Sequence, residues 1–146
     1  MDIPQRVQAF WAEFQASVGY DARLLQTANE LGALVLSGRK RATAGLLWTN
    51  ELNNKPLPVV GALSVVTDWD GAPLCVIQST HIEIVPFDAV SDSFAAAEGE
   101  GDRSLRYWRD AHWRFFSREC GRLGKEPDSS MPVVCERFKV IYPTSD

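Results

Sequence analysis

Two side chains three residues apart, Lys40 and Thr43, offer the most specific chemistry in this sequence. They stand in the run Gly38-Arg39-Lys40-Arg41-Ala42-Thr43. A partly desolvated lysine flanked by two cations has its charged form disfavoured, and the free amine can then take the proton of a nearby hydroxyl. The blander reading of the same run is a surface cluster whose positive charge offsets the negative end of the helix before it. A second candidate is the acidic run Glu98-Gly99-Glu100-Gly101-Asp102, whose glycines let the backbone present carboxylates. Such a run can hold a hard divalent cation or supply one general acid or base, or it can be a polar loop whose Asp102 favours the start of the next helix. A third candidate is basic. Wound at about 100° per residue, positions 103 to 121 put Arg103, Arg106, Arg114 and Arg118 on one arc, a ridge suited to phosphates or simply a solvated face. The opposite arc carries Leu105, Trp108, His112, Phe115 and Phe116, which makes His112 a buried, hydrogen-bonded core histidine rather than a ligand or base. His81 has no second histidine or cysteine at ligand spacing, so metal binding through histidine has no support.

These candidates need elements to position them. Ile3, Val7, Phe10, Trp11, Phe14 and Val18 recur at spacings of three and four, with Asp2 before them, Pro4 in the first turn and Gly19 after, which predicts an amphipathic helix. A second helix opens at Thr27 with Glu30 three residues on and stops at Gly38, so Lys40 stands on a helix exit. The period then changes. Strands are predicted over 59–66 and 74–78, joined by the turn Asp68-Trp69-Asp70-Gly71, then over 81–85 up to Pro86, and over 133–142 with a half-buried alternation. Short strands interrupted by helices give an α+β domain built on a curled sheet or small barrel. No repeat or linker divides the chain, so residues 1–26 read as an N-terminal helical extension and 27–142 as the core of one domain.

Composition narrows the partners. The chain has 146 residues, enough for one core without disulfides or metals, and Cys75, Cys120 and Cys135 lie too far apart for a metal or redox motif and read as small buried hydrophobes. No apolar run has membrane-spanning length and the N-terminus lacks a secretory layout, so the expected location is cytoplasmic, away from membranes. With 15 Lys+Arg against 19 Asp+Glu the net charge is −4, which excludes an indiscriminate binder of polyanions. That total hides a polarity: positions 82–102 hold six acids and no base, and 103–125 hold seven bases and two acids. A nucleoside or short single strand suits this distribution better than a duplex.

Several of these runs occur together in a recognisable order: Gly38-Arg-Lys40-Arg-Ala-Thr43-Ala-Gly, Ile84-Val-Pro86-Phe87, Phe94-Ala-Ala-Ala-Glu98-Gly-Glu-Gly-Asp102, Leu105-Arg-Tyr-Trp108, His112-Trp-Arg-Phe115-Phe116 and Val133-Val-Cys-Glu136-Arg-Phe138. In that order they strongly resemble the ASCH domain family, and within it the longer bacterial members with added N-terminal helices. The resemblance implies a small β-barrel related to the PUA fold, a fold associated with RNA binding, with flanking helices and a cleft lined by the G-x-K motif. It also implies an activity. Short members are amidohydrolases that deacylate N4-acylated cytidine with a lysine and a threonine three residues apart and a glutamate further on, matched here by Lys40, Thr43 and Glu98. Thr43 would attack the exocyclic amide, Lys40 would accept its proton or stabilise the oxyanion, and Glu98 would donate to the leaving amine, without a cofactor. A longer member is described as a metal-dependent nuclease of single-stranded RNA, which here would set Glu98, Glu100 and Asp102 on Mg²⁺ or Mn²⁺ and the arginines Arg39, Arg41, Arg103, Arg106, Arg114 and Arg118 on phosphates. The remaining alternative is a non-catalytic RNA-binding module.

Overall fold

The structure, a computed structural model, describes residues 22–26 and 29–142. The helix expected near residues 3–18 lies outside them. The described chain runs β1 (Ala22–Gln26), α1 (Asn29–Leu36), β2 (Ala42–Leu46), α2 (Leu47–Leu52), β3 (Leu63–Thr67), β4 (Pro73–Pro86), α3 (Asp92–Glu98), α4 (Leu105–Leu123) and β5 (Pro132–Tyr142). One sheet holds all five strands in the order β1-β3-β4-β5-β2. Only the β1–β3 pair is parallel; the other three are antiparallel. The sheet curls into a half-barrel flanked by helices, the α+β architecture that the sequence pattern predicts.

The differences from expectation have local causes. Residues 22–26, assigned above to a helical extension, pair along β3 with Ala22 opposite Leu63 and Gln26 opposite Thr67. The strand expected from Val59 starts only at Leu63, because residues 59–62 close a turn in which the Ala62 N–H donates to the Val59 carbonyl and Gly61 adopts φ +91°. The two short strands expected over 74–78 and 81–85 are one strand, β4, whose pairing with β5 shifts register between Ser79 and His81, so the strand bends there and serves β3 and β5 in turn. The turn at Asp68–Gly71 forms as expected, with the Asp68 N–H donating to the Ala72 carbonyl and Gly71 at φ +83°.

β5 is buried on both faces over 133–136 and only half buried toward its end, where Lys139 is exposed. It lies between β4 and β2, and Val133, Val134, Cys135 and Glu136 are all covered. On one face Val133 and Cys135 join Trp108 and Phe116 of α4, Phe94 of α3, Phe87 and Met131 in the larger core cluster. Completely burying a side chain such as Phe116 contributes about 1.5–3 kcal/mol. A second cluster packs Val35 of α1 on Val66, Cys75, Ile77 and Phe138. The three cysteines are buried free thiols, as expected, and burial pushes Cys75 up to about 11 and Cys135 to about 12.

Candidate active site

Lys40 reaches its position because α1 ends abruptly. Gly38 takes φ +82°, the Gly38 N–H donates to the Val35 carbonyl and the Lys40 N–H to the Leu34 carbonyl, which turns the chain into β2. The residues that meet it there come from the end of α3. Ser91 caps the start of that helix by accepting from the Phe94 N–H, and Gly99 at φ +73° stops it just after Glu98. Two cations then cap its C-terminus. Arg39 Nε donates to the Gly99 carbonyl at 2.9 Å and Nη2 to the Gly101 carbonyl at 3.0 Å, while Lys40 Nζ lies 3.3 Å from the Glu98 carbonyl. The basic run thus offsets the negative end of α3, not of the preceding helix.

The side chains converge behind this cap. Lys40 Nζ is 2.5 Å from Glu98 Oε2 and 3.2 Å from Glu100 Oε2. Lys40 and Glu98 are both buried. Two carboxylates therefore face the amine, not the two flanking arginines that would have disfavoured its charge. The other Glu98 oxygen, Oε1, accepts from Trp108 Nε1 at 3.1 Å and lies 3.2 Å from His112 Nε2. His112 Nδ1 lies 2.9 Å from the Trp108 carbonyl, so both ring nitrogens have a polar partner. The His112 ring also stacks on Trp108 at 4.1 Å. Burial pushes the Glu98 carboxyl up, but the His112 hydrogen bond and the Lys40 charge outweigh it and hold the group down at about 2.

Lys40, Thr43 and Glu98 border one cavity of about 250 Å³, together with Glu100, His112 and Phe115. Small-molecule clefts run from roughly 300 to 1,000 Å³, so this space suits a nucleobase-sized group. His112 is hydrogen-bonded and packed on Trp108 as the helical arc implies, but it also lines the cavity, and the arc alone does not separate a core ring from one at the rim of a cleft. Phe115, expected in the core, is 44% exposed at the cavity. Thr43 and Ala44 also border a second cavity of about 230 Å³, lined further by Gly45, Asn50, Lys55 and Glu136.

The remaining predicted residues fall elsewhere. Arg39 is committed to the α3 cap. Arg41 is exposed and does not line the first cavity. Arg103 lies before α4, at φ +67°, with Nε on the Ala96 carbonyl, and Ser104 is the helix cap. Arg106, Arg114 and Arg118 do form an exposed face of α4, but none lines the cavity. Asp102 is exposed and accepts from the Ser104 N–H at 2.9 Å, and its hydrogen bonds with Ser104 hold it below the usual carboxylate range. The donor set nearest to a metal site among the described residues is Glu98, Glu100 and His112, whose ligand atoms lie within 4.8 Å of one another. The Lys40 ammonium rests against both carboxylates, where a divalent cation would have to sit, so these residues do not fit a resident metal.

The ASCH domain family model matches residues 16–142. Among solved structures, an ASCH domain from Lactobacillus crispatus JV V101 is 38% identical with a TM-score of 0.87, and the match covers 96% of each chain. A protein from Enterococcus faecalis V583 is 33% identical with a TM-score of 0.84 over 94% of this chain and 88% of that one. An ASCH protein from Zymomonas mobilis shares the fold at 8% identity, with a TM-score of 0.52 over 81% of this chain and 68% of that one. No curated protein matches. Among the described residues no helix is long and apolar enough to cross a membrane.

Proposed function

The chain belongs to the ASCH domain family, and from that premise we propose that it hydrolyses the exocyclic amide of an N4-acylated cytidine. The observation that carries this reading is the meeting of Lys40 and Glu98, 58 positions apart, at 2.5 Å on the wall of a cavity that Thr43 borders. A proton shift along the Lys40–Glu98 contact leaves a free amine, which takes the hydroxyl proton as Thr43 Oγ1 attacks the acyl carbon. The C–N4 bond then breaks as the proton held by Glu98 passes to the leaving amine, and water hydrolyses the threonyl ester to the carboxylic acid and the restored hydroxyl. The Lys40 ammonium and the Glu98 carboxylate are thereby both restored. Phe115 and the His112 ring supply apolar and aromatic surface for the base.

The ammonium set between Glu98 and Glu100, and the absence of the α4 arginines from the cavity wall, weigh against the metal-dependent nuclease reading. The decisive experiment incubates the protein with N4-acetylcytidine in EDTA. Cytidine and acetate are expected, and Lys40→Met lowers kcat/KM by about 100-fold or more. Absence of product at stoichiometric enzyme, or activity that chelation removes and Mn²⁺ restores, overturns the reading.

A further inference from the structure

The cavity that holds Lys40 and Glu98 is unsuited to an anion. The charged side chains on its described wall are one lysine and two glutamates, so a base enters as a neutral ring and any phosphate on the same molecule lies outside. One wall is α4, through Ala111, His112 and Phe115. At about 100° per residue Arg118 falls about 20° from Ala111 and about 60° from Phe115 around that helix, which sets it at the edge of the basic face that adjoins the cavity. Its guanidinium carbon lies 5.9 Å from the centroid of the exposed Phe115 ring. Arg114, one turn earlier, is exposed as well.

Other arginines of the chain are already engaged: Arg122 pairs with Glu119, and Arg39 and Arg103 donate to carbonyls at the end of α3. Among the described residues neither Arg114 nor Arg118 forms an ion pair. Like charges four residues apart on a helix repel, and an anion held between them removes that repulsion. We propose that Arg118, with Arg114 beside it, receives the phosphate of a ribose 5′-phosphate, so that the substrate is a phosphorylated N4-acylcytidine, free or within a strand, rather than the bare nucleoside. In such a molecule the phosphate is one sugar away from the base, and Arg118 is one ring away from the cavity. The planar fork of the guanidinium bonds two phosphate oxygens, while the Phe115 ring against it lines the space for the base. No bond of the phosphate changes, and the amide is hydrolysed by the steps given above.

The inference rests on the N4-acyl reading, and its test separates the two. kcat/KM is measured for N4-acetylcytidine, for its 5′-monophosphate and for a trinucleotide with N4-acetylcytidine in the middle. The expected ratio is about tenfold or more in favour of the monophosphate over the nucleoside, the discrimination that one charge-assisted hydrogen bond gives. It is expressed in KM, because the phosphate is remote from the reacting carbon, and it shrinks as salt is raised, because the arginines are exposed. Arg118→Gln brings that ratio close to one whatever it does to the rate common to both, and as an exposed substitution it leaves the packed side of α4 intact. The trinucleotide separates the two sources of the phosphate: a preference at least as strong as that for the monophosphate assigns it to a strand, and a weaker one to a free nucleotide. Turnover of nucleoside and monophosphate with no preference overturns the inference and leaves the N4-acyl reading standing. A preference that survives Arg118→Gln, or one that salt does not reduce, also overturns it, and no turnover of any of the three compounds removes both.

Discussion

Glu98 spreads its two oxygens over three donors, and each would feel the loss of the others. Removing Lys40 leaves a buried carboxylate without its closest cation, a loss that costs about 3–5 kcal/mol when one partner of a buried pair is deleted. Lys40→Met is therefore expected to lose stability as well as turnover, measured by urea unfolding, and adding Glu98→Gln to the same chain recovers more than half of the stability and none of the turnover. A double variant no more stable than the single one would mean that Trp108 and His112 compensate the carboxylate without the lysine. Lys40 and Thr43 stood out by type and spacing beside a plain surface-cluster reading, and Glu98 joined them only through the resemblance to the ASCH family. His112 was not legible as a cavity residue, because it sits on an apolar arc and what distinguishes it is Glu98, a neighbour from another helix.

Arg39 makes two chain segments act as one element. Its guanidinium holds the carbonyls of Gly99 and Gly101, and the packing is so close that a Cβ on Gly99 would lie 2.3 Å from the Arg39 carbonyl oxygen. Gly99→Ala also places a side chain at φ +73°, a conformation that costs about 1 kcal/mol before any clash. The expected outcome is a thermal midpoint lowered further than this strain alone explains, with turnover reduced because Glu98 moves with the α3 terminus. Ser104→Ala provides the contrast: it removes the α4 cap, lowers stability by about 1 kcal/mol and leaves turnover intact, since neither Ser104 nor its bonded N–H groups reach the cavity. Elements with a strong period were readable in advance, α4 and the Asp68–Gly71 hairpin above all. β2 was not, because its sequence, Ala42-Thr43-Ala44-Gly45-Leu46, carries little strand preference and becomes a strand through its pairing with β5.

At the scale of the molecule the same carboxylate sets the response to acid. Glu98 has an ordinary value of 4.5 and is held at about 2 in the folded protein, so the unfolded chain binds its proton first as pH falls. Its contribution to stability is present in full above pH 4.5 and disappears as the pH drops toward and through 2. Urea midpoints measured from pH 6 to pH 2.5 are expected to fall more steeply in the wild-type protein than in Glu98→Gln, and parallel curves would show that the folded carboxyl is not depressed. The charge polarity read from the sequence is also resolved at this scale: the bases of α4 face outward, and the first cavity is lined by one lysine and two glutamates. Among the described residues the strand that carries Thr43 pairs only with β5, Ala42 facing Arg137, 95 positions further along the chain. During synthesis β2 therefore emerges from the ribosome long before its partner exists. Until the last strand has been translated and docked, the nascent protein carries every candidate catalytic side chain and has no scaffold to bring them together.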